Sequence, residues 1–205
     1  DHPVITSKGL SDKGLAFKYN DENRKRNLYV KMFDSITSDD KWLNILEIFV
    51  EDIYGDLGGD FGEYEKQGGE PFYILGEIFG TGVQDLTYGN IPKQFRIFDI
   101  YVGEPGKGQY MNAPRVQDVV RGMNNFANGE VEISYVPELY RGPFSKEVLA
   151  EYTDGKETAS GTEAHMREGV VVRPVVERRH NEIGRVILKS VSEKYILRKN
   201  ATEYT

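Results

Sequence analysis

Residues 168–173 read Glu-Gly-Val-Val-Val-Arg, and residues 186–191 read Val-Ile-Leu-Lys-Ser-Val. Both runs are short and rich in β-branched residues, and both are bounded by glycine, proline or polar residues, so both predict strands. Each also carries a charge where a strand apolar on both faces should hold none. Glu168 opens the first run on the face of Val170 and Val172; Lys189 sits inside the second, flanked on its face by Ile187 and Val191. These faces follow from the two-residue period of a strand. Two further runs repeat the pattern. In Phe72-Tyr-Ile-Leu-Gly-Glu-Ile-Phe79 the ionisable residue is Glu77, on the face of Tyr73, Leu75 and Phe79. In Phe95-Arg-Ile-Phe-Asp-Ile-Tyr101 it is Asp99, on the face opposite Phe98 and Ile100. An unpaired buried charge is costly, so each of these residues is expected to be ion-paired, hydrogen-bonded or part of a site. One outcome is an ion pair of Glu77 or Glu168 with Lys189 inside the core. The other is a cleft in which two carboxylates and a lysine receive a divalent metal and a phosphorylated ligand.

Around these runs, the spacing predicts a helix over 39–54, where Trp42, Leu43, Ile45, Leu46, Phe49, Val50 and Ile53 recur at helical intervals between Ser38 and Gly55. A glycine-rich acidic loop follows over 56–70. Further helices are expected over 115–126, entered by Pro114, and over 145–152, closed by Asp154-Gly155. The strand-like runs cover 73–79, 95–102, 131–135, 169–173 and 186–191. They alternate with helices irregularly, which points to α+β with mostly antiparallel sheets rather than a doubly wound fold. The tail after Val191 has helical spacing and is expected to dock back near the cleft. The 205 residues are read as a single domain.

Composition narrows the function. A hydrophobic fraction of 39% with 29% charge fits an ordinary globular chain, and no apolar run is long enough to span a membrane. There is no cysteine, which excludes disulfides and thiolate metal sites and fits a reducing, cytoplasmic location. Lys+Arg of 26 against Asp+Glu of 33 gives −7, so nucleic acid cannot be held by bulk charge and needs a local patch. The available cations are Lys8, Lys13 and Lys18 near the N-terminus and Arg178, Arg179 and Arg185 in the C-terminal third. Arg178-Arg179-His180 reads as an exposed hairpin turn. His2, His165 and His180 are scattered without metal-binding spacing.

Taken in order, these segments resemble the covalent nucleotidyltransferases, the polynucleotide ligases and mRNA capping enzymes. Glu-Gly-Val-Val-Val-Arg (168–173) and Ile-Leu-Lys-Ser-Val-Ser-Glu-Lys-Tyr (187–195) look like that family's motifs IV and V. Gly-Glu-Ile-Phe-Gly (76–80) resembles motif III, Phe-Arg-Ile-Phe-Asp-Ile (95–100) motif IIIa, and Val-Ile-Thr-Ser-Lys-Gly (4–9) motif Ia. Gly-Val-Gln-Asp-Leu-Thr-Tyr-Gly (82–89) and Leu-Tyr-Arg-Gly-Pro-Phe (139–144) look like the nick-sealing RNA ligase branch.

The resemblance implies a ligase adenylation domain, with sheets around a nucleotide-binding cleft as in ATP-grasp-like enzymes. It implies ATP and Mg2+ or Mn2+ as cofactors, RNA ends or a nicked duplex with a 3′-OH RNA strand as partners, no membrane, and a monomer. By position, Glu77 would hold the ribose, Phe98 would stack on adenine, Glu168 would bind the metal, and Lys189 would contact the α-phosphate. Lys8 would stand where the family has an arginine that contacts phosphate or the 3′-OH end. Relatives often carry a second lysine two residues after Lys189, where this chain has Val191; Lys194 is the candidate substitute. The motif I pattern Lys-x-(Asp/His)-Gly does not occur in the 205 residues. The expectation is a stretch that begins after the nucleophilic lysine and is inactive alone. Three functions remain open at this point: an ATP-dependent RNA ligase domain; a nucleotide- or RNA-end-binding module without catalysis; and a DNA ligase or capping-type transferase.

Overall fold

The computed structural model describes residues 4–7, 15–37, 71–126 and 133–198. The helix expected over 39–54, the loop over 56–70, and Lys8, Lys13 and His2 lie outside the described residues. The chain divides into two compact units, residues 1–69 with 121–133 and residues 70–120 with 134–205.

In the first unit, α1 (Asp21–Arg26) is followed by α2 (Leu28–Thr37). The side chain of Asn20 caps α1 by accepting from the Asn23 N–H, with Asp21 and Glu22 at the positive end and Arg24 to Arg26 at the other. Asn27 separates the helices and accepts from the Val30 N–H at the start of α2. Val30 is fully buried.

The second unit is built on β1 (Phe72–Phe79) and β2 (Gln94–Val102), paired antiparallel from Phe72 opposite Val102 to Phe79 opposite Gln94. The register slips once: Leu75 lies opposite Asp99 but Gly76 opposite Ile97, so Phe98 is the extra residue of a bulge. β3 (Gln109–Tyr110) adds antiparallel and β4 (Ser134–Tyr135) parallel to β2, both on the edge away from β1. α3 (Ala113–Phe126) starts as Pro114 predicts, because proline suits a first helical turn. Val116, Val119 and Val120 recur on one helical stripe and are buried, as are Ile97, Ile100 and Val102 of β2. α4 (Lys146–Thr153) begins where Ser145 accepts from the Val148 N–H.

β5 (Gly169–Val172) and β8 (Leu188–Val191) form an antiparallel pair, with Val171 opposite Lys189. Between them β6 (Arg179–His180) and β7 (Gly184–Arg185) make a short hairpin. α5 (Glu193–Ile196) follows, with Tyr195 buried. The sequence predicts β5 and β8 as apolar on both faces and doubly buried, and the structure corrects this. Val171 is 60% exposed and Leu188 45%, and they lie on opposite faces, so neither face of the pair is fully covered; among the described residues it stands as a two-stranded sheet.

Candidate active site

The four charges that mark the strands separate into two groups. Glu168, Lys189 and Glu77 come together. Lys189 Nζ donates to Glu168 at 2.5 Å, and both side chains remain open to solvent. Glu77, on β1, lies within electrostatic reach of both. Burial first, then the Glu168 carboxylate, push the Glu77 carboxyl above the usual carboxylate range, while Lys189 pulls the other way. Glu77 still exposes much of its surface. The ion pair anticipated between Glu168 and Lys189 therefore forms, but at the surface and not in the core.

Strand alternation alone would keep Glu168 and Lys189 apart. Lys189 is opposite Val171, so Glu168, three positions before Val171, would face the other side of the sheet. Gly169 breaks that alternation. Its φ is +156°, and a Cβ there would lie 1.9 Å from the carbonyl oxygen of Ser190. Only glycine lets β5 approach β8 so closely at this point. The Ser192 N–H then donates to the Glu168 carbonyl at 2.8 Å, which fixes the backbone that carries the carboxylate. The Glu-Gly order of the sequence is thus a structural requirement of the ion pair.

Phe98 sits at the bulge of β2, half-buried, next to the residue opposite Gly76. Lys194 is held by Asp154 at 2.9 Å and is 70% exposed. The tail docks back: Arg198 pairs with Asp85, in the 82–89 segment, at 2.9 Å, and both partners are largely buried. At the end of that segment Tyr88 and Gly89, and Asn90 just after it, have positive φ, and the Tyr88 ring packs edge-on against Phe79 and His165. His165 Nδ1 donates to the Met166 carbonyl, and His180 is exposed. Among the described residues no three His, Asp or Glu side chains gather as a preformed metal cage.

Asp99 belongs to the second group, which sequence reasoning did not assemble. It is 3% exposed and accepts from both Arg173 and Arg185. Arg185 also donates to Glu177 at 2.7 Å and lies 3.7 Å over the Tyr110 ring, while Arg173 donates to the Tyr135 hydroxyl. Burial works against the Arg185 charge, but the hydrogen bonds to Asp99 and Glu177 outweigh it and raise its pKa. Arg185 is therefore a buried structural ion and not a cation available to RNA.

The sequence matches the RNA ligase family over residues 16–191. A comparison with curated proteins finds no match. A similar solved structure is that of the Naegleria gruberi RNA ligase, a lysine-to-alanine mutant with ATP and Mn. Identity to it is 24% with a TM-score of 0.47, over 66% of this chain and 37% of that one, so this chain spans little more than a third of that ligase's length. The family match runs from ahead of α1 to the end of β8 and takes in Glu77, Phe98, Glu168 and Lys189, so this chain, a mixed α/β protein with largely antiparallel sheets, belongs to the RNA ligase family.

Proposed function

We propose that this chain supplies the nucleotide-binding site of an ATP-dependent RNA ligase. The ligase would join a 5′-phosphate end to a 3′-OH RNA end through ligase-AMP and RNA-adenylate intermediates. The observation that carries the reading is the convergence of Glu77 of β1, Glu168 just before β5 and Lys189 of β8. An exposed ammonium beside two carboxylates is poorly explained as a stability device, since such pairs contribute about 0–1 kcal/mol. It is well explained as a charge array awaiting a ligand.

In this reading Lys189 leaves Glu168 for the α-phosphate and stabilises the negative charge that builds there during transfer. Glu77 accepts from a ribose hydroxyl; burial first, and the Glu168 carboxylate second, raise its pKa. Phe98 offers a ring face to adenine from the bulge. Lys194 is an additional phosphate ligand that must exchange its Asp154 contact, and Lys8 is the proposed contact for phosphate or the 3′-OH end. The donor set fits Mg2+ or Mn2+, which bind through one or two carboxylates together with phosphate oxygens and do not need a full protein cage. Glu168 is the residue to hold it, and the ion would neutralise phosphate charge when bound.

The test begins with the full-length protein and labelled ATP or GTP, followed by nicked RNA or DNA. Transfer of AMP to protein and then to RNA 5′-ends is the expected result. Labelling by GTP, or equal sealing of DNA ends, would replace RNA ligation with the capping or DNA ligase reading; ATP binding without covalent transfer would leave a binding module. Residues 1–205 alone, which hold no Lys-x-(Asp/His)-Gly, are expected to bind ATP without becoming labelled.

A further inference from the structure

Arg179 and His180 form the first strand of the β6–β7 hairpin and Arg178 directly precedes it; all three are exposed. Arg179 lies opposite Arg185, and the Val186 N–H donates to the Arg178 carbonyl, so the two arginines stand on an ordered ladder. Among the described residues neither guanidinium has an acidic partner within ion-pair distance. Other arginines of the same unit do: Arg141, Arg173, Arg185 and Arg198 are each paired with a carboxylate. In a chain of net charge −7, two adjacent exposed arginines without neutralisation form a local exception. Ile183, 69% exposed, stands in the turn between the two strands.

The hairpin is also anchored. Its second strand ends in Arg185, which is locked to Asp99 on β2 and to Glu177 ahead of β6. Asp99 adjoins Phe98 in sequence, and Arg173, which shares Asp99, follows β5 directly. The buried ion cluster therefore ties the arginine-bearing hairpin to the strands that carry the nucleotide site.

We propose that the hairpin is a phosphate clamp for the RNA duplex, entering a groove so that Arg178 and Arg179, on opposite faces of the ribbon, each contact a backbone phosphate. The inference rests on the ligase reading and deepens it by giving the RNA a place on the domain. A guanidinium fork matches phosphate oxygens bidentately. An aliphatic tip such as Ile183 suits the sugar edges of the wide, shallow A-form minor groove. Contacts of this kind read backbone and shape without reading sequence.

The experiment measures binding of the full-length protein to a nicked RNA duplex across a salt series, for the parent, the double variant Arg178→Ala/Arg179→Ala, and Arg178→Lys/Arg179→Lys. Each lost phosphate contact should lower the salt slope by about one, so the alanine variant should lose roughly two units of slope and on the order of tenfold in affinity. The lysine variant should recover the slope but not all of the affinity. Adenylate formation and the unfolding midpoint should match the parent in both. An alanine variant that keeps the parental slope, or a parent that binds RNA without salt dependence, overturns the clamp. Failure of the ligase reading shows separately, as a parent that forms no adenylate.

Discussion

Two clusters of opposite charge lie in the same compact unit and differ in nearly every physical respect. Around Asp99, two guanidiniums, a second carboxylate and a tyrosine hydroxyl are buried, with hydrogen bonds distributed over all of them. Around Glu168, a single lysine makes the contact, and solvent reaches both partners. A buried charge must be matched where it stands, because its desolvation is recovered only through good geometry and complete hydrogen bonding. An exposed pair is free to break, since water replaces the partner at little cost. The first arrangement is suited to holding strands together, the second to exchanging a partner for a ligand. The sequence presents Asp99 and Glu168 as the same anomaly; burial separates them.

The sharpest way to break this contrast is Asp99→Ala. It leaves two largely buried guanidiniums, Arg173 and Arg185, with Glu177, among the described residues, as the one carboxylate between them, so stability should fall by about 3–5 kcal/mol, measured by urea unfolding. A loss under about 1 kcal/mol would place Asp99 with the exposed pairs. Next comes Lys189→Ala in the full-length protein. AMP transfer should drop on the order of a hundredfold or more, equivalent to about 2.7 kcal/mol of transition-state stabilisation, while the unfolding free energy moves by less than about 1 kcal/mol. A variant that unfolds with its activity per folded molecule intact would make Lys189 structural.

Gly169→Ala probes the link between backbone and site. The added Cβ meets the Ser190 carbonyl, so β5 must shift, costing about 1–3 kcal/mol. Activity should fall along with stability as Glu168 turns away from Lys189. Equal activity in a stable variant would show that Glu168 does not need this glycine.

The smallest effect is expected at Glu77. Its folded pKa is raised, so the native state holds the proton more tightly than the unfolded chain. The stability this confers is complete below the ordinary glutamate value and is lost as pH rises through the raised one. Glu77→Gln should therefore raise the melting temperature at neutral pH, with the gap closing as the medium becomes acidic. A variant less stable at neutral pH would mean that the Glu77 carboxylate is matched in the fold by a favourable partner.

Most of the local structure is legible in the residues. Pro114 marks the start of α3, Ser145 caps α4, and short runs of β-branched, aromatic and other apolar residues mark β1, β2, β5 and β8. The signals for α1 are equally present in Asn20, Asp21 and Glu22, though the reading did not use them. β6 and β7 were too short to register as strands; the sequence shows only their turn character. Glu77, Glu168 and Lys189 stand out because charge interrupts apolar alternation, a signal carried entirely by neighbours in sequence. The partners of Asp99 carry no such signal. Arg173 and Arg185 lie 74 and 86 residues away, and nothing in either neighbourhood distinguishes them from Arg178 and Arg179.

What the sequence determined by itself is therefore the longer strands β1, β2, β5 and β8, the starts of α3 and α4, the family, and the residues at which charge is out of place, since all of these depend on periodicity, side-chain type and order along the chain. Which charges are buried and which are open was decided only by the tertiary structure. So were the glycine backbone at Gly169 beside the Glu168–Lys189 pair and the removal of Arg185 from the cations available to RNA. Burial and contact between residues far apart in the chain are properties of packing, and an ion's worth is set by the water that packing leaves around it.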